Sequence, residues 1–173
     1  MDLKYSGVGT EPLSSVEVKN YLKADYSTDD TLIAMLITGC RELMEQYTGR
    51  SLVVKTIEYF EAKDYDLEIE LPYPDHDSVT AVILNSVDVL ADCIITGNVQ
   101  KIVKLPAQYN YINEDSDGVK ITYTTLGTCP AALKMAILKS IAEIYEKRGN
   151  TFEGSVAELS ENAYAIGAKY MIM

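Results

Sequence analysis

Apolar positions along this chain change their period twice, from helical to alternating and back to helical. Residues 1–11 carry little pattern and read as a mobile arm. Ser14-Ser15-Val16-Glu17 is a capping box, in which Ser14 and Glu17 satisfy each other's orphan backbone donors. A short helix is expected from there through Leu22, ending near Asp25. Ser27 offers a second N-cap, with Asp29 and Asp30 placed against the positive end of a helix dipole. The next helix sets Leu32, Met35, Leu36, Leu43, Met44 and Tyr47 on one stripe and stops at Gly49. Gly39 and Cys40 interrupt that stripe with small side chains, which suits close approach by another helix.

From Ser51 the period becomes two. Val53, Ile57 and Tyr59 alternate with Lys55 and Glu58, and Leu67, Ile69 and Leu71 alternate with Glu68 and Glu70. Pro72-Tyr73-Pro74 forces a turn, and Val79 to Leu84 reads as another strand. Gly97-Asn98 turns a hairpin between Ile94-Ile95 and residues 101–105, and Val119, Ile121 and Tyr123 close the series. Helix returns behind Pro130, with Leu133, Ala136, Ile137, Ile141 and Ile144 on one face. Met135, Leu138, Ala142 and Tyr145 widen that face, so this helix packs on more than one side until Gly149 ends it. Residues 150–173 show no period and read as an extended arm.

Composition narrows the function. A length of 173 residues is one domain's worth, and 47% hydrophobic with 24% charged content describes an ordinary globular chain. We expect no signal peptide and no membrane span, since no run nears the roughly 18 apolar residues a span needs. Cys40, Cys93 and Cys129 are an odd count at scattered spacings, as expected of reduced thiols and not of a disulfide framework. With 15 Lys and Arg against 26 Asp and Glu, the formal charge is −11. Such a chain lacks the concentrated positive charge needed to grip phosphates, although DNA can slide past an acidic surface. Thirteen Tyr with no Trp fits an interface-rich surface or compositional chance.

The search for catalytic or metal sites finds weak candidates. The lone histidine, His76, sits among Pro74, Asp75 and Asp77, as a solvated turn residue would. A small hydrolase built on it, with Cys129 or a serine as nucleophile, lacks a nucleophile elbow. On that reading His76→Ala would abolish activity and leave stability unchanged. Paired Cys or His spacings for zinc are absent, as are phosphate-binding and dinucleotide loops. Asn113-Glu114-Asp115-Ser116-Asp117-Gly118 copies the first half of a calcium loop. Its twelfth position is Thr124 and not a bidentate Glu, so an acidic hairpin turn is expected. No catalytic residue, metal or cofactor is therefore expected.

Several of these segments, taken in order, resemble a known family. Pro12-Leu13-Ser14 with Glu17-Val18-Lys19 and Leu22, Asp29-Asp30 with Leu32-Ile33, and Tyr47-Thr48-Gly49-Arg50-Ser51-Leu52 form the first part. Leu71-Pro72-Tyr73-Pro74 with Ser78-Val79-Thr80, then residues 119–123, form the second. Cys129-Pro130-Ala131-Ala132-Leu133-Lys134 with Ala136-Ile137, then Ile144-Tyr145-Glu146-Lys147-Arg148, complete it. Together they resemble the head–tail connector (head-completion, or adaptor) proteins of long-tailed bacteriophages, from Pro12 to Arg148, departing most between Ser86 and Asn113.

The resemblance implies a mainly α protein with a small inserted antiparallel β-sheet (α+β), the helical connector-protein fold. As one domain of residues 1–173, it divides into an arm (1–11), N-terminal helices (12–49), a β insertion (50–127), a central helix (128–149) and a C-terminal arm (150–173). It implies no catalysis and a closed ring of about a dozen copies at the virion neck, made in the bacterial host cytoplasm. The implied partners are the portal protein, tail or stopper proteins, and DNA passing through the lumen without sequence-specific binding; no membrane is involved. A tail-completion or stopper subunit of the same neck is the neighbouring alternative. Tyr164, Tyr170 and Met171 are the expected contact residues, being apolar side chains on an arm too short to bury them alone.

Overall fold

The structure, a computed structural model, describes residues 2–24, 27–62, 66–73, 75–98, 100–109, 118–147 and 161–172. The chain forms two compact units, one of residues 11–52 and 129–173 and one of residues 1–10 and 53–128. The first unit is helical: α1 (Ser15–Leu22), α2 (Asp30–Thr48), α3 (Ala131–Lys147) and α4 (Glu161–Gly167). Its core gathers Leu13, Val18, Ile33, Ile37, Cys40, Met44, Leu52, Leu133, Ala136, Ile137, Ile141 and Ala163.

Local chemistry explains these helices. The capping box forms as expected, with the Glu17 N–H donating to Ser14 Oγ and the Ser14 N–H donating to Glu17 Oε2. The Ser14 N–H and the Ser14 hydroxyl both donate to the Glu17 carboxyl and hold it below its ordinary range. The expected Ser27 cap does not form, because residues Ser27–Asp29 make a 3₁₀ turn ahead of α2. Asp29 instead accepts the Tyr145 hydroxyl at 2.5 Å, which fastens the start of α2 to the far end of α3.

On α2 the buried stripe is rotated from the one expected. Ile33, Ile37, Cys40, Arg41, Met44, Glu45 and Thr48 face inward, whereas Met35 is 68% exposed. The expected stripe followed apolar residues alone, and the true inner face contains an ion pair. Arg41 donates from Nη1 to Glu45 Oε2 (2.6 Å) and from Nε to Glu11 Oε2 (2.8 Å). Thr38 donates to the other Glu11 oxygen, and the Leu52 N–H donates to the other Glu45 oxygen at 2.8 Å. With side-chain exposures of 2% and 4%, Arg41 and Glu45 are tolerable in the core only because these partners fill their remaining capacity.

Residues 161–170, expected as part of an extended arm, are helical. Ala163 is fully buried on α4, which continues into a 3₁₀ turn at Ala168–Tyr170. Gly167 lies so close to α2 that a Cβ there would sit 2.9 Å from the Tyr47 ring. A seven-residue helix with a small-residue contact face leaves too few apolar positions to show a period. Gly149 lies outside the described residues.

The second unit corrects the expected fold class: the protein is not mainly helical with a small insertion. Eight strands among the described residues make two antiparallel sheets. One contains β1 (Asp2–Ser6), β2 (Thr56–Glu61), β8 (Val119–Thr125), β4 (His76–Leu84) and β5 (Val87–Asp88), in that order; the other contains β3 (Glu68–Glu70), β7 (Ile102–Lys104) and β6 (Ile94–Thr96). Both sheets feed one core that includes Ile57, Tyr59, Ile69, Val82, Leu84, Val103, Val119, Ile121 and Tyr123. A core drawn from two sheets makes this an α+β protein with two comparable units, not a helical fold carrying a β decoration.

Register follows from alternation and turns. Ile57 pairs with Tyr123 and Tyr59 with Ile121, so the inward residues of β2 and β8 lie side by side. Asn85 and Ser86 both have positive φ (48° and 66°), which gives β4 and β5 a two-residue hairpin. The hairpin expected around Gly97 is present, with Thr96 opposite Ile102. Residues Asp2–Ser6, expected within a mobile arm, pair fully with β2. Their side chains are exposed apart from half-buried Leu3, so backbone bonding holds a strand that hydrophobicity does not announce.

Two consequences can be measured. Arg41→Met leaves Glu45 buried without its cation and should cost about 3–5 kcal/mol, lowering the urea midpoint. Adding Glu45→Gln, which keeps an acceptor for the Leu52 N–H, should recover part of that loss. Burial pushes the Cys40 and Cys129 thiols up to about 11 from 9.0, Lys134 opposing and Glu45 adding at Cys129. The stability gained by keeping them neutral is full below the ordinary thiol value and is lost as pH climbs toward 11. At neutral pH both should react with thiol reagents far more slowly in the native protein than in the unfolded chain.

Candidate functional site

His76 was expected in a solvated turn; it is buried, at 4% exposure, at the start of β4. The Lys101 N–H donates to Nδ1 (3.3 Å), which leaves Nε2 to donate to the Pro72 carbonyl (3.0 Å). Its ring stands edge-on to Tyr123, whose hydroxyl donates to the same carbonyl. One ring nitrogen thus holds the backbone of the Pro72 turn, where Tyr73 and Asp75 have positive φ, and the other holds the backbone of Lys101. The cost of that turn is met by tying it to β8 and Lys101, a structural role that leaves no ring nitrogen for proton transfer.

The calcium-like motif fares no better. Residues 113–117 lie outside the described residues. Gly118 has φ of 87°, and a Cβ there would sit 2.3 Å from the Glu61 carbonyl, so close passage of β2 accounts for this glycine. Thr124 is a strand residue whose hydroxyl bonds Ser78. Among the described residues no group of three His, Cys, Asp or Glu is placed to hold a metal.

The expected contact residues fall on the C-terminal stretch of the helical unit. Tyr164 stacks edge-to-face on Tyr47 (4.8 Å), and Tyr170 is partly buried against the same core. Arg50 donates to the Tyr170 carbonyl at 2.9 Å, and the Ile172 N–H donates to the Thr48 carbonyl at 3.1 Å. Met171 lies between these two clasps and is 47% exposed. The structure thus brings all three together at the C-terminal end of α2 and leaves Met171 the most open to solvent.

Sequence reasoning missed two features of the surface and core. One is the Arg41 cluster, whose signal was an i, i+4 Arg–Glu pair within a helix already assigned. The other is the β6 edge, where Ile94 and Ile95 are 64% and 39% exposed on a strand bonded on one side only among the described residues.

The family model for head completion proteins matches residues 12–161. The chain belongs to the head completion protein family. This is a family of structural virion proteins and not a class of enzymes. No similar sequence is found among curated proteins.

Solved structures share the fold of this head completion protein over its whole length. A chain in the virion of a native gene transfer agent particle has TM-score 0.73 and 19% identity, with 100% of this chain and 96% of that chain covered. A chain in the neck of an empty gene transfer agent particle, computed with C6 symmetry, has TM-score 0.72 and 19% identity over the same shares. A chain in the neck of the native particle, computed with C12 symmetry, has TM-score 0.64 and 18% identity, again covering 100% and 96%.

The placement of His76 reverses the expectation attached to a catalytic histidine. His76→Ala should lower stability by about 2–4 kcal/mol, because it takes the acceptor from the Lys101 N–H, removes one of the two donors to the Pro72 carbonyl and opens a cavity. The check is a urea titration, which should show a lower midpoint at unchanged slope.

Proposed function

We propose that this chain is a ring-forming head–tail connector, which joins the portal of a phage-like capsid to the tail and lets DNA pass. The family match over residues 12–161 carries this reading. The symmetric necks that contain chains of this fold support a ring of about a dozen copies, a closed heterologous assembly. The charge of −11 fits the passage of DNA, since a lumen of this sign repels phosphate and offers no grip. Its partners are then further copies of itself, the portal protein, and a tail or stopper protein, at the virion neck after synthesis in the host cytoplasm. Tyr164, Tyr170 and Met171 contribute to a contact surface, with Met171 offering the open apolar area and the tyrosines shaping its base.

The test is light scattering across a wide concentration range, alone and with isolated portal rings. The expected result is a closed particle of fixed mass, either free or seated on the portal. Binding to a tail protein in place of the portal would assign the chain a stopper or tail-completion position. A monomer that binds neither would overturn the connector reading.

A further inference from the structure

We infer that neighbouring copies in that ring join strand to strand, the β6 edge of one copy receiving the β1 edge of the next. This rests on the ring reading above and names the surfaces that build it.

The two sheets end in four strands bonded on one side only among the described residues: β1 and β5 in one sheet, β3 and β6 in the other. Sheet edges invite pairing, and folded proteins blunt them with charge or shortness. β3 carries Glu68 and Glu70. β5 has two residues, one of them Asp88. β6 is short too, but it lacks the charge: it reads Ile94-Ile95-Thr96. Successive residues point to opposite sheet faces, so exposed Ile94 and Ile95 make this edge apolar on both sides.

Charge selects the occupant. A copy at −11 approaching another meets like charge over most of its surface, and a neutral strand is where contact is least opposed. A closed ring needs two different patches on each copy, so β6 must meet another edge and not itself. Among the other three, β3 carries two carboxylates and β5 one, whereas β1 balances Asp2 with Lys4. Lys4 is exposed, as is Tyr5 beside it. The approach to β6 is acidic and fixed: Asp92 accepts the Tyr109 hydroxyl, and Asp88 accepts the Val82 and Leu90 N–H groups. After burial itself, these same two carboxylates hold up the thiol of Cys93, which immediately precedes β6. A neutral apolar edge flanked by two carboxylates thus complements a strand with an exposed lysine between Leu3 and Tyr5.

The test compares wild type, Ile95→Lys and Lys4→Glu by light scattering and urea titration, in whichever setting the ring forms, free or on the portal. Both substitutions are expected to leave the urea midpoint of the subunit in place. Each should weaken ring association by about tenfold or more. Cysteines placed together at Lys4 and Ile95 in a Cys93→Ser background should give a covalent ladder of copies, and neither alone should. Rings that form with unchanged affinity in both variants, or an absent ladder, would overturn strand pairing while leaving the connector reading intact. A chain that forms no ring in either setting would overturn both.

Discussion

Arg41 is the charge on which the helical unit closes. The chain enters this unit at Glu11 and leaves it after Leu52, and both points are tied to one guanidinium. Glu11 is bonded to Arg41 directly, and Leu52 is reached through Glu45, which holds Arg41 with one oxygen and the Leu52 N–H with the other. Hydrophobic contact alone would let these crossing points slide, because apolar packing has little direction. Three oriented hydrogen bonds around a planar cation do not slide. The remaining core of α2 and α3 packs around a segment whose two ends are already set.

The β unit answers the same problem with backbone bonding. Thr125 donates to the Val53 carbonyl and accepts from the Lys55 N–H, while the Gly9 N–H donates to the Val54 carbonyl. The crossing strands on this side are therefore fixed by hydroxyl and amide groups. Each unit secures its own boundary residues with its own polar chemistry.

Much of this was legible in the sequence where burial and polarity agree. The Ser14 box, the inward face of α3 and the alternation of Val119, Ile121 and Tyr123 follow from local pattern, and the structure shows each of them. Legibility failed where polar groups enter a core or apolar ones leave it. On α2, Leu36, Leu43, Met44 and Tyr47 lie on or against the core as expected, but Arg41, Glu45 and Thr48 occupy inward positions and Met35 an outward one, so the apolar stripe marked the inner face only in part. Strand β1 buries almost nothing, and α4 buries chiefly an alanine and a glycine, so neither leaves a period. His76 looked solvated because its neighbours in sequence are polar; its neighbours in space are Tyr123 and the Pro72 turn.

The helical unit is discontinuous, with residues 53–128 lying between its two pieces. During synthesis, α1 and α2 must wait with their apolar stripe uncovered until the whole intervening segment and α3 have emerged. The loop entropy of that wait grows slowly with length, and the intervening segment reduces it by folding on its own core. A chain cut short anywhere before α3 cannot bury Ile33, Ile37 or Met44 against their partners. Completion of the helical core therefore reports that translation has passed α3, and interrupted chains are left with the kind of exposed surface that cellular proteases remove.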